Sequence, residues 1–137
     1  MTPNKAIEVT DRLKPNSYSD EDKLRWINEL DGMVKNLVFQ WDGKYIAELE
    51  TQRRSGEITK KKYNELIDKT MPYDYPEDLD KELLIPAPFE NLYSLYLEAK
   101  IDYHNREYAN YNNSAMVFES QFSEYKKAYI REHMARG

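Results

Sequence analysis

The sequence contains no cysteine, which excludes disulfides, thiolate zinc sites, iron–sulfur ligation and cysteine nucleophiles together and leaves the redox compartment open. Its four glycines are isolated at positions 32, 43, 56 and 137, so there is no glycine-rich loop to cradle a phosphate. Only two histidines occur, and neither sits in a His-Glu-x-x-His run or a Glu-x-x-His pair. Helical zinc-hydrolase and binuclear carboxylate sites therefore lack their ligands. No run of eighteen apolar residues exists and the first thirteen residues are polar and amphipathic, so neither a membrane span nor a secretory signal is readable. Positive charge is also in deficit: 20 Lys and Arg against 25 Asp and Glu give a net charge of -5, a poor start for a strongly cationic nucleic-acid protein. Leu, Ile, Val and Phe number 28 of 137 residues, at the lower edge of what supports an independent globule. The expectation is a thinly cored single domain over residues 1–137, not an enzyme, with no cofactor, no metal and no membrane partner.

What the chain does have is helical periodicity and tyrosine. Between its few glycines and prolines the apolar residues recur with a period near 3.6, which predicts an all-α fold. Thr2 before Pro3 has the form of an N-cap followed by proline at the first helical position, and Ile7, Val9 and Leu13 give that helix one apolar side. Ser19 with Asp22 three residues on has capping-box spacing, and Asp20 and Glu21 favour a helix start. Beyond it Leu24, Ile27, Leu30, Val34, Leu37, Val38 and Trp41 form one stripe, with Trp26, Met33 and Leu37 widening it to a second flank. Gly32 inside this helix predicts either close approach of another helix or a break.

Residues 42–70 read as a charged helical hairpin turning near Ser55-Gly56. Residues 71–88 hold four of the six prolines and predict a Pro-rich, acidic, extended strap laid across the bundle, with Leu83, Leu84 and Ile85 facing inward. Residues 90–112 carry the longest helical pattern, about 35 Å at 1.5 Å per residue. Asn110, Asn112, Asn113 and Ser114 then offer a break before a last helix over residues 115–134. These two helices are expected to pair as a long C-terminal helical hairpin or to form one bent rod.

Three clusters invite a functional reading. Asp74, Glu77, Asp78, Asp80 and Glu82 could supply hard oxygen ligands, but Pro76 and Leu79 interrupt them and the central glycine of a calcium loop is missing, so an acidic surface is expected, with Asp74, Glu77, Asp78 and Asp80 at its centre. Arg53, Arg54, Lys60, Lys61 and Lys62 are the one nucleic-acid candidate; interleaved glutamates blunt its field within a Debye length, which fits a solvated face. His104, on the aromatic side of its helix, reads as a packed or interface histidine. The twelve tyrosines can serve as a core rim or as a protein interface, since the ring gives large area at low rotamer entropy and the hydroxyl tolerates water. The breadth of the apolar surface favours the interface, with Tyr93, Tyr96, Tyr103, Tyr108, Tyr111, Tyr125, Tyr129 and Arg131 as contact residues.

The strings Tyr73-Asp74-Tyr75-Pro76-Glu77-Asp78, Leu83-Leu84-Ile85-Pro86-Ala87-Pro88-Phe89, Glu98-Ala99-Lys100-Ile101-Asp102-Tyr103 and Glu107-Tyr108-Ala109-Asn110-Tyr111-Asn112-Asn113 resemble small proteins of tailed-phage and prophage structural modules, the head–tail connector (neck adaptor) components. The resemblance covers residues 1–37 loosely and 73–134 more closely, and leaves the 42–70 hairpin unmatched. It implies a virion structural protein assembled in the bacterial host cytoplasm. Its partners would be the portal and neighbouring neck or tail proteins, within a homo-oligomeric ring through whose channel DNA passes without sequence-specific contact. It further implies that residues 125–137 form a tail that docks on the portal and orders only there. The competing reading is a phage-encoded helical regulatory or DNA-associated protein that uses residues 53–62.

Overall fold

Thr2 opens helix α1 (Pro3–Leu13) as the sequence predicts: its side chain accepts from the Lys5 amide at 3.2 Å, with Pro3 in the first turn. The computed structural model describes residues 1–41, 50–56 and 73–134, and the fold among them is all-α. α1 ends where Lys14 donates back to the Thr10 carbonyl, and Asn16 closes the turn by accepting from the Tyr18 amide. Ser19 then caps α2 (Asp20–Trp41) by accepting from the Asp22 amide at 3.1 Å. Two further helices follow, α3 (Leu92–His104) and α4 (Tyr108–Met134). Of the expected 42–70 hairpin, the described part is a helical segment over residues 50–55 and a turn at Gly56, whose φ of 81 suits glycine; the remainder lies outside the described residues.

α3 is the hub. It contacts α1, α2 and α4, most extensively α4, and buries Leu92, Tyr93, Leu97, Ala99 and Ile101 around its circumference. A helix apolar on all sides belongs in the middle of a bundle. α2 lays Leu24, Ile27, Leu30, Val34 and Leu37 against it, with Trp26 also buried. Each such side chain contributes roughly 1.5–3 kcal/mol by leaving water. Met33, expected on the second flank of α2, instead faces solvent at 37% exposure.

The C-terminal pair is an antiparallel hairpin, but its proportions differ from expectation. α3 has 13 residues and α4 has 27, about 20 and 40 Å long. The break falls at 105–107, where Arg106 takes φ 60, and not at the Asn-rich stretch, whose Asn110, Asn112, Asn113 and Ser114 lie within α4. Contacts step in opposite directions along the two helices: Tyr103 to Tyr111 at 5.3 Å, Asp102 to Ser114 at 2.5 Å, Tyr96 to Phe118 at 5.1 Å. The register continues past the start of α3, where Phe89 meets Tyr125 at 5.3 Å. Of the expected docking tail over 125–137, residues 125–134 are the last turns of α4, with Tyr125 buried, and residues 135–137 lie outside the described residues.

The strap crosses the bundle, yet it is rich in turns where an extended course was expected. Asp78 folds back on Asp74, its amide donating to the Asp74 carbonyl and its carboxylate accepting from the Asp74 amide. Backbone bonds Asn4 to Leu79 and Leu83 to Met1, both 2.9 Å, tie it to α1. Leu83 and Ile85 are buried as predicted, with Leu84 packed half-buried beside them.

Gly32 marks neither a break nor a close approach: α2 runs through it, and a Cβ placed there would meet nothing within 4 Å. Replacing it therefore removes only the backbone entropy of glycine. Gly32→Ala is expected to raise stability by about 0.5–1 kcal/mol, read as a higher urea midpoint at unchanged m-value; a lower midpoint would mean that something does pack against this position.

Candidate functional site

Among the described residues, two buried carboxylates, Asp31 and Asp102, organise the polar interior. Asp31 on α2 is 1% exposed and accepts from the Tyr73 hydroxyl at 2.5 Å, the Tyr93 hydroxyl at 2.6 Å and, more weakly, the Leu84 amide at 3.4 Å. The Tyr93 hydroxyl in turn accepts from the Ile85 amide at 2.8 Å. One turn earlier on the same face, Asn28 pairs with the Tyr73 backbone in both directions, donating to its carbonyl and accepting from its amide. Together these bonds fasten the strap to α2 and α3. Burial raises the Asp31 carboxyl above its usual value despite the opposing hydrogen bonds. Burial, and the neighbouring Asp31, push the Tyr73 and Tyr93 hydroxyls upward, so both remain donors.

Asp102 on α3 is fully buried. Its carboxylate receives Lys14 Nζ and Ser114 Oγ, each at 2.5 Å, while its carbonyl accepts from the Glu107 amide. A buried ion with both oxygens satisfied is tolerated; removing its cation would leave an uncompensated charge. Through it the end of α1, the end of α3 and the start of α4 are locked together. A second inter-helix pair, Lys23 to Asp11 at 2.7 Å, does the same between α2 and α1.

At this locked corner lies an aromatic elbow. The amides of Asn105, Arg106 and Glu107 donate to the carbonyls of Ile101, Tyr103 and Asp102, which closes α3 and holds Arg106 in the left-handed region that disfavours residues bearing a Cβ. Buried Trp26 forms the base, with His104 stacked on it at 5.1 Å and 13°, and Tyr18 edge-on at 5.5 Å. Tyr103 lies against His104, Tyr108 and Tyr111. The Tyr18 hydroxyl donates to Asn105 at 2.8 Å. On this fixed base Tyr103 and Tyr108 are 51% and 57% exposed. Large rings held rigid but left open to water are suited to contact, because little rotamer entropy remains to be lost on binding.

The other sequence-selected residues divide. Tyr93 is wholly buried and Tyr125 is 4% exposed, so both belong to the core and not to an interface. The physical reason is that their rings fill the bundle, with the Tyr93 hydroxyl spent on Asp31. Tyr96 is half-buried, donating to Glu29 at 2.8 Å. Tyr111 and Tyr129 are half-buried, and Arg131 is exposed on α4. Asp74, Glu77 and Asp80 are exposed, with Asp78 partly covered. Among the described residues no group of three metal-ligating side chains gathers. Arg54 pairs with Glu50 at 3.0 Å and Arg53 approaches the same carboxylate at 3.9 Å; Lys60, Lys61 and Lys62 lie outside the described residues. His104 is exposed at the end of α3, its ring stacked on Trp26 and edge-on to Tyr18 and Tyr103.

Sequence reasoning passed over Asp31, Asp102 and Lys14. The signal was present for Asp31, an acid four residues after Ile27 and three before Val34, inside the apolar stripe that faces the core. No protein-family model, curated protein or solved structure matches this chain.

Because its raised native value means that the folded chain holds the Asp31 proton more tightly than the unfolded chain does, this contribution to stability is full below the unfolded value near 3.8 and is lost as pH rises through the native value. Urea unfolding of wild type and Asp31→Asn, compared across the acid-to-neutral range, should show wild type losing ground to the variant as pH increases. A difference that does not vary with pH would contradict the assignment.

Proposed function

We propose that this chain is a virion structural adaptor of the head–tail connector kind, working by protein–protein contact with the portal and neighbouring neck or tail subunits. The observation that carries the reading is the aromatic elbow: Tyr103 and Tyr108 stand half-exposed in contact with each other, Tyr103 edge-on to a His104 ring that stacks on buried Trp26, next to the Lys14–Asp102 pair. Exposed tyrosines over a buried tryptophan, with Arg106 beside them, have the composition of interface hot spots. The resemblance to neck adaptor proteins, loose over residues 1–37 and closer over 73–134, supplies the partner class, and with it the ring and the DNA channel. The acidic strap suits a wall along which DNA slides, since like charge discourages adhesion to phosphates.

The DNA-associated alternative rests on residues 53–62. Within the described part both arginines lie against Glu50, which weakens the field a phosphate backbone would meet, so the adaptor reading is preferred.

Size-exclusion of the chain with the portal protein from the same genome is expected to give a joint peak. Tyr103→Ala combined with Tyr108→Ala should weaken that association at least about tenfold, with a melting temperature within a few degrees of wild type. Absence of the joint peak, or duplex-DNA binding that falls steeply with salt, would overturn the proposal.

A further inference from the structure

The outward side of α4 changes character part-way along the helix. From Tyr108 to Phe118 it runs eleven residues without a charge, in a chain of which 33% is charged. From Glu119 onward the exposed positions carry Glu119, Glu124, Lys126, Lys127, Arg131 and Glu132, the ordinary solvated face of a surface helix. In the uncharged part Ala109, Asn112, Asn113 and Met116 are exposed and follow i, i+3, i+4, i+7, the spacing of a stripe that packs against another helix. Met116 is 69% exposed and Val117 beside it 49%. α4 thus has two stripes: one buries Phe118 and Tyr125 within the fold, and the other faces outward.

Charge says what fits this stripe. The chain carries a net charge of -5, so its copies repel one another, but across the stripe itself there is no charge to oppose its own image. Each asparagine amide both donates and accepts, so Asn112 and Asn113 can meet their like without leaving a group unpaired. The charges that bound the stripe have opposite signs: Arg106 stands before it and Glu119 after it, and neither side chain makes an ion pair among the described residues. A second α4 laid antiparallel, centred between Asn112 and Asn113, brings Arg106 of each copy level with Glu119 of the other, Ala109 with Met116, and Tyr108 with Val117. A parallel copy would set Arg106 beside Arg106. Glu107 does not spoil the match, since it lies nine residues before Met116, half a turn round the helix, where Asn110 donates to it at 3.3 Å.

We propose that the outward face of α4 over residues 109–119 binds a second copy of this chain, the two helices packing antiparallel about a two-fold axis. Such a contact is self-complementary, which is the condition a two-fold interface imposes. A single helix face of about three turns is small beside the roughly 1,200–2,000 Å² of standard interfaces, so the dimer forms in a concentration-dependent way. The inference does not rest on the connector reading: it concerns the chain by itself, and Met116 and Glu119 lie outside the Tyr103 and Tyr108 pair that tests the portal contact.

The test is light scattering on the full chain over a concentration series from about 1 μM to about 1 mM. The mass should rise from 16.4 kDa toward twice that value and stop there. Met116→Lys, which sets a cation against its own image, should raise the dissociation constant at least about tenfold, and Met116→Ala, a gentler loss of apolar contact, several-fold. Both positions of change are exposed, so the melting temperature should stay within a few degrees of wild type. Glu119→Arg alone and Arg106→Glu alone should each weaken the dimer several-fold at low salt and little at high salt, and the two exchanges together should restore it. A chain that stays monomeric throughout would overturn the proposal, as would a mass that climbs past the dimer or a dimer that Met116→Lys leaves unchanged. Exchanged charges that fail to rescue one another would overturn the antiparallel arrangement.

Discussion

The carboxylate of Asp31 joins three parts of the chain at a single point inside the core. It sits on α2, takes the Tyr73 hydroxyl from the start of the strap and the Tyr93 hydroxyl from the first turn of α3, and reaches the Leu84 amide midway between. Among the described residues no cation pairs with it, and its surroundings act on it by burial and hydrogen bonds. An acid so placed is costly unless its lone pairs are filled, and here two phenols and an amide fill them. The apolar side chains Leu83 and Ile85 can enter the core only because the polar backbone around them has these partners, the Ile85 amide being satisfied by Tyr93 itself. Without Asp31 the strap would bring unsatisfied groups into a dry interior.

Much of what lies downstream depends on where the strap rests. Phe89 at its end meets Tyr125 and so sets how the second half of α4 lies; Pro86 and Pro88 make one wall of an apolar groove beside Tyr125. The opposite end of the bundle is governed by the other buried acid, Asp102, which fixes the elbow through Lys14 and Ser114. The molecule thus has a polar pin near each end of α3 and an apolar hub between them. Each pin supports one exposed aromatic or apolar feature, the groove at one end and the Tyr103–Tyr108 surface at the other.

Local signals were legible in the sequence and tertiary ones were not. Thr2 and Ser19 announced both helix starts because a cap acts within three residues of itself, and the α2 stripe from Leu24 to Leu37 announced its buried face because periodicity is a one-dimensional property. The inward turn of Leu83 and Ile85 was also readable. The helix break was not: Asn110 to Ser114 carry breaker chemistry, yet the chain breaks at Arg106, where Asp102 accepts the Glu107 amide and the clamp with Ser114 settles the corner. The tyrosines misled for a similar reason. Tyr93 and Tyr103 have the same side chain on the same helix, and only the position of Asp31 and the crossing of α4 decide that one is core and the other surface. Gly32, lastly, has no packing role, so a sequence rule that expects one finds nothing there.

The most direct measurement of this account is native-state hydrogen exchange at the Ile85 and Tyr73 amides, the two strap donors bound to Tyr93 and Asn28. If Asp31 makes the strap part of the cooperative core, both amides exchange only on global unfolding, in step with Leu97 in α3, and in Asp31→Ala they exchange through a smaller opening that leaves Leu97 protected. Ile85 and Tyr73 exchanging orders of magnitude faster than Leu97 in the wild-type protein would show the strap to be an independent layer and would contradict the central role given to Asp31.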